Sequence, residues 1–279
     1  MRAVYPARRR FDATFHSLRR RDPELPPLDG ILVLDKDLGM SSARAGEIVR
    51  RRAQFAKTGH AGTLDPLATG VLVLGLGRGT KAIPQLMATD KAYETEVDLS
   101  AFTRGDDREG ERREIEVAVP PTRAAVEAAL RAFEGVIDQA PPAFSAMVVE
   151  GRRAYRIARK DDTFELPARK VTVHEITLLD YAWPIARISL RCGKGFYVRS
   201  LARDLGRALG TGGHVASLRR TAVGPFTLAM AHRIADLPEV IDAACVIPVS
   251  DALAMVSSQE TDRATDLPTA AAPDPGPRP

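Results

Sequence analysis

Apolar and polar positions along this chain follow three patterns, and each predicts a different element. Unbroken apolar runs at 30–35 and 71–76 are short and sharply bounded, as buried strands are. Strict alternation from Ala92 to Leu99 sets Tyr93, Thr95, Val97 and Leu99 against Glu94, Glu96 and Asp98, which predicts a half-buried strand. Apolar residues three and four apart predict helices. One carries Ala45, Ile48 and Val49 behind a cap at Ser41 or Ser42, and a short one carries Ile83, Leu86 and Met87 behind Thr80. A third, opened by Pro121-Thr122, carries Val126, Leu130 and Phe133. Strands are expected over 171–179 and 187–192, then a helix over about 199–209 that Gly210 stops. Residues 58–70 and 104–113 read as loops.

Strands and helices mixed in this way, without an internal repeat, predict one α+β domain over 29–255. Its flanks differ in composition. Residues 1–28 form a basic arm in which Arg2, Arg8, Arg9, Arg10, Arg19, Arg20 and Arg21 precede little apolar sequence, so disorder is expected. The arm reads equally as a solubilising tail or as a segment that touches phosphates. Residues 256–279, punctuated by Pro268, Pro273, Pro275, Pro277 and Pro279, read as a disordered tail. Within the domain, residues 139–170 form an insertion whose basic side chains surround Phe144 and Tyr155.

Composition changes this picture little. Lys and Arg number 40 against 36 Asp and Glu, a net charge of +4, which leaves a nucleic-acid partner open without requiring one. Cys192 and Cys245 stand apart, so neither a disulfide framework nor a zinc site is expected, and Cys192 reads as core. The sequence has no membrane-spanning apolar stretch and no secretory signal, and a cytoplasmic location is expected.

The chemically informative segment is Gly59-His60-Ala61-Gly62-Thr63-Leu64-Asp65-Pro66-Leu67-Ala68-Thr69-Gly70. Two glycines and an Asp-Pro step before a buried strand describe a tight loop on a rigid element, with Pro66 keeping Asp65 out of helical geometry. Taken alone, this is the description of an ordinary turn.

The dodecapeptide nevertheless resembles the catalytic loop of the TruB family, the bacterial tRNA pseudouridine-55 synthases, and it has companions in the family's order. The run ending at Lys36 is similar to the family's opening strand, and Asp90-Lys91-Ala92-Tyr93-Glu94 to its tyrosine strand. Residues 140–146 and 151–155 are similar to its RNA-gripping insertion. Lys194-Gly195-Phe196-Tyr197-Val198-Arg199 and Asp204-Leu205-Gly206 resemble its arginine strand and helix, and Gly213-His214 leads into Leu218-Arg219-Arg220. The matches run from about Asp29 to Leu253.

The resemblance implies a pseudouridine synthase fold, with a central mixed, mostly antiparallel sheet flanked by helices and a thumb-like basic insertion. It implies isomerisation of uridine 55 in the tRNA T-loop after the base is flipped out. Asp65 then corresponds to the nucleophile, Arg199 to the cation paired with it, and Tyr93 to a residue that stacks on the uracil and assists proton removal. His60 corresponds to the residue filling the space the base leaves. Tyr197 and Leu218 frame the base, Asp107 matches an acidic position near the substrate, and Lys36 joins the substrate-binding set. No group is imported and no net redox change occurs, so no cofactor or metal is called for. The implied partner is the T-arm of tRNA, with no protein partner and no membrane, and the chain reads as a monomer.

Departures from the family pattern are local. Asp37 follows Lys36 where the family has proline, Thr103-Arg104-Gly105 replaces Thr-Asp-Thr, and Val148 stands where lysine is expected. Residues beyond Met255 are too few for the C-terminal PUA domain that many members carry. Two rival readings are a guide-directed synthase acting on another RNA and a tRNA-binding folding chaperone. His60, Asp65, Tyr93 and Arg199 together favour catalysis.

Overall fold

The unbroken apolar runs are unbroken because both of their faces are buried. In the computed structural model, which describes residues 27–145, 148–149, 152–153 and 166–265, Leu32 and Leu34 pack into one core while Ile31 and Val33 pack into another. Leu72, Leu74 and Leu76 divide from Val71 and Val73 in the same way. A strand's period of two sends alternate side chains to opposite faces, so a strand lying between two helical layers is apolar throughout.

In chain order the strands are β1 (Gly30–Lys36), β2 (Thr58–His60), β3 (Ala68–Leu76), β4 (Lys91–Asp98), β5 (Ala101–Thr103), β6 (Arg112–Glu114) and β7 (Gly135–Gln139). They continue as β8 (Val148–Val149), β9 (Arg152–Arg153), β10 (Arg169–Ala182), β11 (Ile185–Cys192), β12 (His214–Val223), β13 (Phe226–Thr227) and β14 (His232–Arg233). The helices are α1 (Ser42–Arg52), α2 (Ile83–Ala88), α3 (Arg123–Arg131), α4 (Val198–Leu209) and α5 (Val249–Thr265). The main sheet runs β14-β1-β3-β12-β4-β11-β10-β7, with β2 added to β3 and β13 to β12. Only β1–β14 and β3–β12 pair parallel among the described strands, so the sheet is mixed and mostly antiparallel, and the fold is α+β.

Apolar residues of α1, α3 and α4 join one core, and those of α2 and α5 the other. Ser41 is the cap of α1, its side chain accepting from the Arg44 N–H, while Ser42 turns inward. Thr122 caps α3 through the Ala125 N–H, and Gly210 ends α4 at φ 67°, where a residue without Cβ is favoured. Cys192 is core, as expected. Among the described residues, no helix is long and apolar enough to cross a membrane.

Several expectations are corrected. Residues 58–70 are not loop throughout, because Thr58–His60 and Ala68–Gly70 join the sheet and only 61–67 cross between them. Thr80 lies inside a 3-10 turn, Gly77–Ala82, and its hydroxyl donates to Gly77 O rather than capping α2. Arg112–Glu114, inside and beyond the charged loop, pairs with β5. The tail does not begin at 256. Ala252 and Val256 are buried in the second core, and the helix that carries them runs on to Thr265. The basic arm, most of the insertion and the chain after 265 lie outside the described residues.

Candidate active site

Asp65 sits at the turn that carries the chain from β2 to β3. Ser42 Oγ accepts from Leu64 N at 2.8 Å and donates to Leu64 O at 2.9 Å, while Leu64 and Leu67 are buried on either side. Ala68 N donates to Asp65 O at 3.0 Å and Gly39 N to Pro66 O at 2.8 Å, closing the turn. Gly70 leaves it at φ 98°, and a Cβ there would stand 2.2 Å from Arg220 O, so only glycine lets β3 meet β12 so closely. The carboxylate is thus aimed by backbone and core contacts while its side chain stays 35% exposed.

Arg199 lies in the first turn of α4, an unfavourable place for a cation beside the helix's positive end. Acceptors on all sides offset this. Nε lies 2.9 Å from Asp65 Oδ2 as an ion pair, Nη1 donates to Gly105 O at 3.1 Å and to Asp107 Oδ2 at 3.5 Å, and Nη2 donates to Phe144 O at 3.1 Å. The arginine side chain is only 7% exposed, so the ion pair offers its carboxylate to solvent and keeps its guanidinium inside. Burial pushes the Asp107 carboxyl above the ordinary range even with Arg199 beside it.

The Asp65–Arg199 pair separates two cavities. The larger, about 620 Å³, is walled by Tyr93, Tyr197, Leu218, Lys91 and Arg220 and bordered by Arg169, Lys170 and Lys194. The other, about 550 Å³, holds Asp107, Glu109, Glu111 and Arg104. Tyr93 projects from β4 in register with Arg220 on β12, and burial raises its phenol above its ordinary value. Tyr197, the residue before α4, is fixed through its backbone. Its N–H donates to Gln139 Oε1 at 2.8 Å, Gln139 Nε2 returns a bond to its carbonyl at 3.1 Å, and the Arg169 guanidinium lies 5.4 Å from its ring centre. The cleft is therefore basic with aromatic walls, which suits an anionic, planar ligand.

The remaining sequence candidates stand elsewhere. Asp107 is on the far side of Arg199, in the smaller cavity. His60, on β2, does not line the large cleft; its Nδ1 is buried without a hydrogen-bond partner, and burial lowers its pKa, so the ring is neutral near pH 7. Lys36 is fully buried, its ammonium donating to Met40 O at 2.6 Å and Asp37 O at 3.0 Å. It holds the turn after β1 and is not on the cleft wall, a correction to its expected place among substrate contacts.

Two wall residues stood in the quoted motifs without being named among the site candidates. Arg220 is 2% exposed; its Nε donates to Val71 O at 2.7 Å and its Nη2 to Gly62 O at 3.1 Å, and it stands opposite Tyr93 in the β12–β4 register. Lys91 donates to Met87 O at 2.6 Å and to Thr89 O, closing the C-terminal end of α2 against the cleft. Their alternation with Tyr93 and Leu218 on β4 and β12 was the available signal, but β12 reads too polar to be recognised as a central strand.

Comparison with known proteins agrees with this geometry. Residues 50–198 match the TruB family pseudouridylate synthase N-terminal domain, and residues 199–253 match the tRNA pseudouridylate synthase B C-terminal domain. The chain is 46% identical over 234 residues to tRNA pseudouridine synthase B of Thermobifida fusca, covering 81% of this chain and 79% of that protein. It is 47% identical to the protein of that name from Caulobacter vibrioides, over 81% of this chain and 74% of the relative. Among solved structures, a chain of a Cbf5-Nop10-Gar1 complex is similar with a TM-score of 0.63 and 25% identity, covering 81% of this chain and 62% of that one.

Proposed function

We propose that this chain, which belongs to the TruB family of pseudouridylate synthases, converts uridine 55 in the T-loop of tRNA into pseudouridine with Asp65 as nucleophile. It is a tRNA-modifying isomerase, and we place its action in the cytoplasm. The reaction breaks the N1–C1′ bond and forms C5–C1′; a proton leaves C5 and N1 gains one. Atoms and electrons balance within the nucleotide, so the protein must supply position and charge rather than a reagent.

The observation that carries the reading is Asp65 Oδ2 held 2.9 Å from Arg199 Nε at the floor of a basic, aromatic-walled cleft of about 620 Å³. A carboxylate is a weak nucleophile, so its position matters, and the buried guanidinium holds this one at a fixed place on the cleft floor. Tyr93 and Tyr197 supply surfaces for an extruded pyrimidine, and the surrounding cations suit the phosphates flanking it. Burial raises the Tyr93 phenol above its ordinary value, and its ring on the cleft wall suits stacking against the uracil. Asp107 steadies Arg199 from behind, and His60 and Lys36 support the loop from outside the cleft.

The test uses unmodified tRNA transcript and position-resolved mapping of pseudouridine. Wild type should modify position 55 and Asp65→Asn should leave it unmodified. Equal product from both would end the nucleophile assignment. Product confined to another position would end the site assignment.

A further inference from the structure

Arg203 stands one turn beyond Arg199 on α4, and the two guanidiniums meet consecutive carboxylates of one loop. Arg203 Nη1 lies 3.0 Å from Asp106 Oδ2, as Arg199 Nη1 lies 3.5 Å from Asp107 Oδ2. The Arg203 and Asp106 side chains are 12% and 15% exposed, so this is not a solvated surface pair of small consequence. Asp106 reaches it through a left-handed backbone, φ 60°, a conformation that Asp and Asn adopt more readily than other residues with a side chain. In extended backbone, neighbouring side chains point to opposite sides; here both carboxylates reach α4.

We propose that Arg203 is a positioning residue for the isomerisation. By gripping Asp106 it fixes the 104–110 loop, so that Gly105 and Asp107 aim the Arg199 guanidinium at Asp65.

The argument rests on the planarity of that guanidinium. Arg199 Nη1 takes both of its acceptors, Gly105 O and Asp107 Oδ2, from this loop. The N–H directions of the fork are rigidly related, so moving the loop turns Nε away from Asp65 as well. On its far side the loop is fastened to β12, where Val215 N donates to Asp106 O at 3.0 Å and Arg108 N donates to Val215 O at 2.9 Å. Arg203 fastens the side toward α4. It is itself braced, with Nε 2.9 Å from Asp204 Oδ1 and Nη2 2.9 Å from Ala140 O. Arg203 lines neither cavity, so its influence passes through Arg199 and not through contact with RNA.

This inference rests on the reading of Asp65 and Arg199 as the reacting pair, and the test separates the two. The full chain is assayed with tRNA transcript under single-turnover conditions, alongside direct measurement of tRNA affinity. Arg203→Met should lower the rate constant about tenfold while leaving the Kd within about twofold. Arg203→Lys, which keeps the charge, should recover most of that rate. Asp106→Asn, which tolerates the left-handed backbone, should lose about threefold and carries the test if Arg203→Met does not fold. In an Arg199→Lys background there is no fork left to aim, so adding Arg203→Met should change the rate by less than about twofold. Wild-type rates in both Arg203→Met and Asp106→Asn, a loss appearing only in Kd, or the same fold loss in both backgrounds would each overturn the proposal. Asp65→Asn is the control. If it is inactive while Arg203→Met is normal, only this inference fails; if it is fully active, the underlying reading fails.

Discussion

Two lysines flank the site and look alike until their surroundings are compared. Lys36 ends β1 and Lys91 begins β4; burial lowers each amine to about 8, and each donates to two backbone carbonyls. Lys36 is sealed at 0% exposure and braces the turn after β1, beside the loop bearing Asp65, whereas Lys91 forms part of the cleft wall beside Tyr93. The same chemistry therefore stands in two places, one sealed inside the fold and one on the cleft wall. Desolvation alone does not distinguish them. What distinguishes them is which side of the backbone carbonyls remains open.

Arg220 lies between these two cases and lowers both amines further by its charge, so removing it perturbs the comparison most. Arg220→Met should destabilise the protein by about 3 kcal/mol in urea unfolding, because Val71 O and Gly62 O lose charged donors in a buried place. An unchanged midpoint would mean those carbonyls find other partners. Next in size, Lys36→Met should lose about 2 kcal/mol of stability, with the salt dependence of tRNA binding unaltered. A changed salt slope would place Lys36 against phosphate after all. Lys91→Met should lose only about 1 kcal/mol of stability, but its plot of log affinity against log salt should flatten by about one. If the two variants behave alike, the division of labour is wrong.

The gentlest effect is in pH. Each amine titrates near 8 in the fold and at 10.5 in its ordinary state. Between those values the unfolded chain holds more protons than the folded one, so the stability attributable to each lysine rises with pH across that window. Below 8 the burial of charge opposes folding in full. The unfolding free energy of wild type relative to Lys36→Met should therefore climb from pH 8 toward 10.5, and a fall over that range would contradict the assigned direction.

The Lys36 correction shows where sequence reading stops. The run 30–36 announces a buried strand, but whether its terminal lysine faces the cleft depends on where the chain goes at Met40 and Asp37. The polar strand β12 is a similar case. Arg219 and Arg220 make it unlike a central strand, yet Arg220 is acceptable there because carbonyls from 62 and 71 meet its guanidinium, and Arg219 because Asp35 accepts it bidentately at 2.8 and 3.1 Å. The tail erred in the other direction. Its composition reads as polar and unstructured from 256, while Val256 is tied down by a core that the local window does not contain.

By itself the sequence determined what short-range chemistry can encode. The two-faced apolar runs, the alternation of β4, a cap at Ser41 or Ser42, a helix start at Pro121-Thr122, the stop at Gly210 and a rigid Asp-Pro turn between glycines all depend on neighbours a few residues apart. Tertiary structure alone decided which polar groups lose water and what replaces it. Gly105, Asp107, Phe144 and Asp65 converge on one guanidinium from distant parts of the chain, and burial acquires a sign and a partner only when those parts meet.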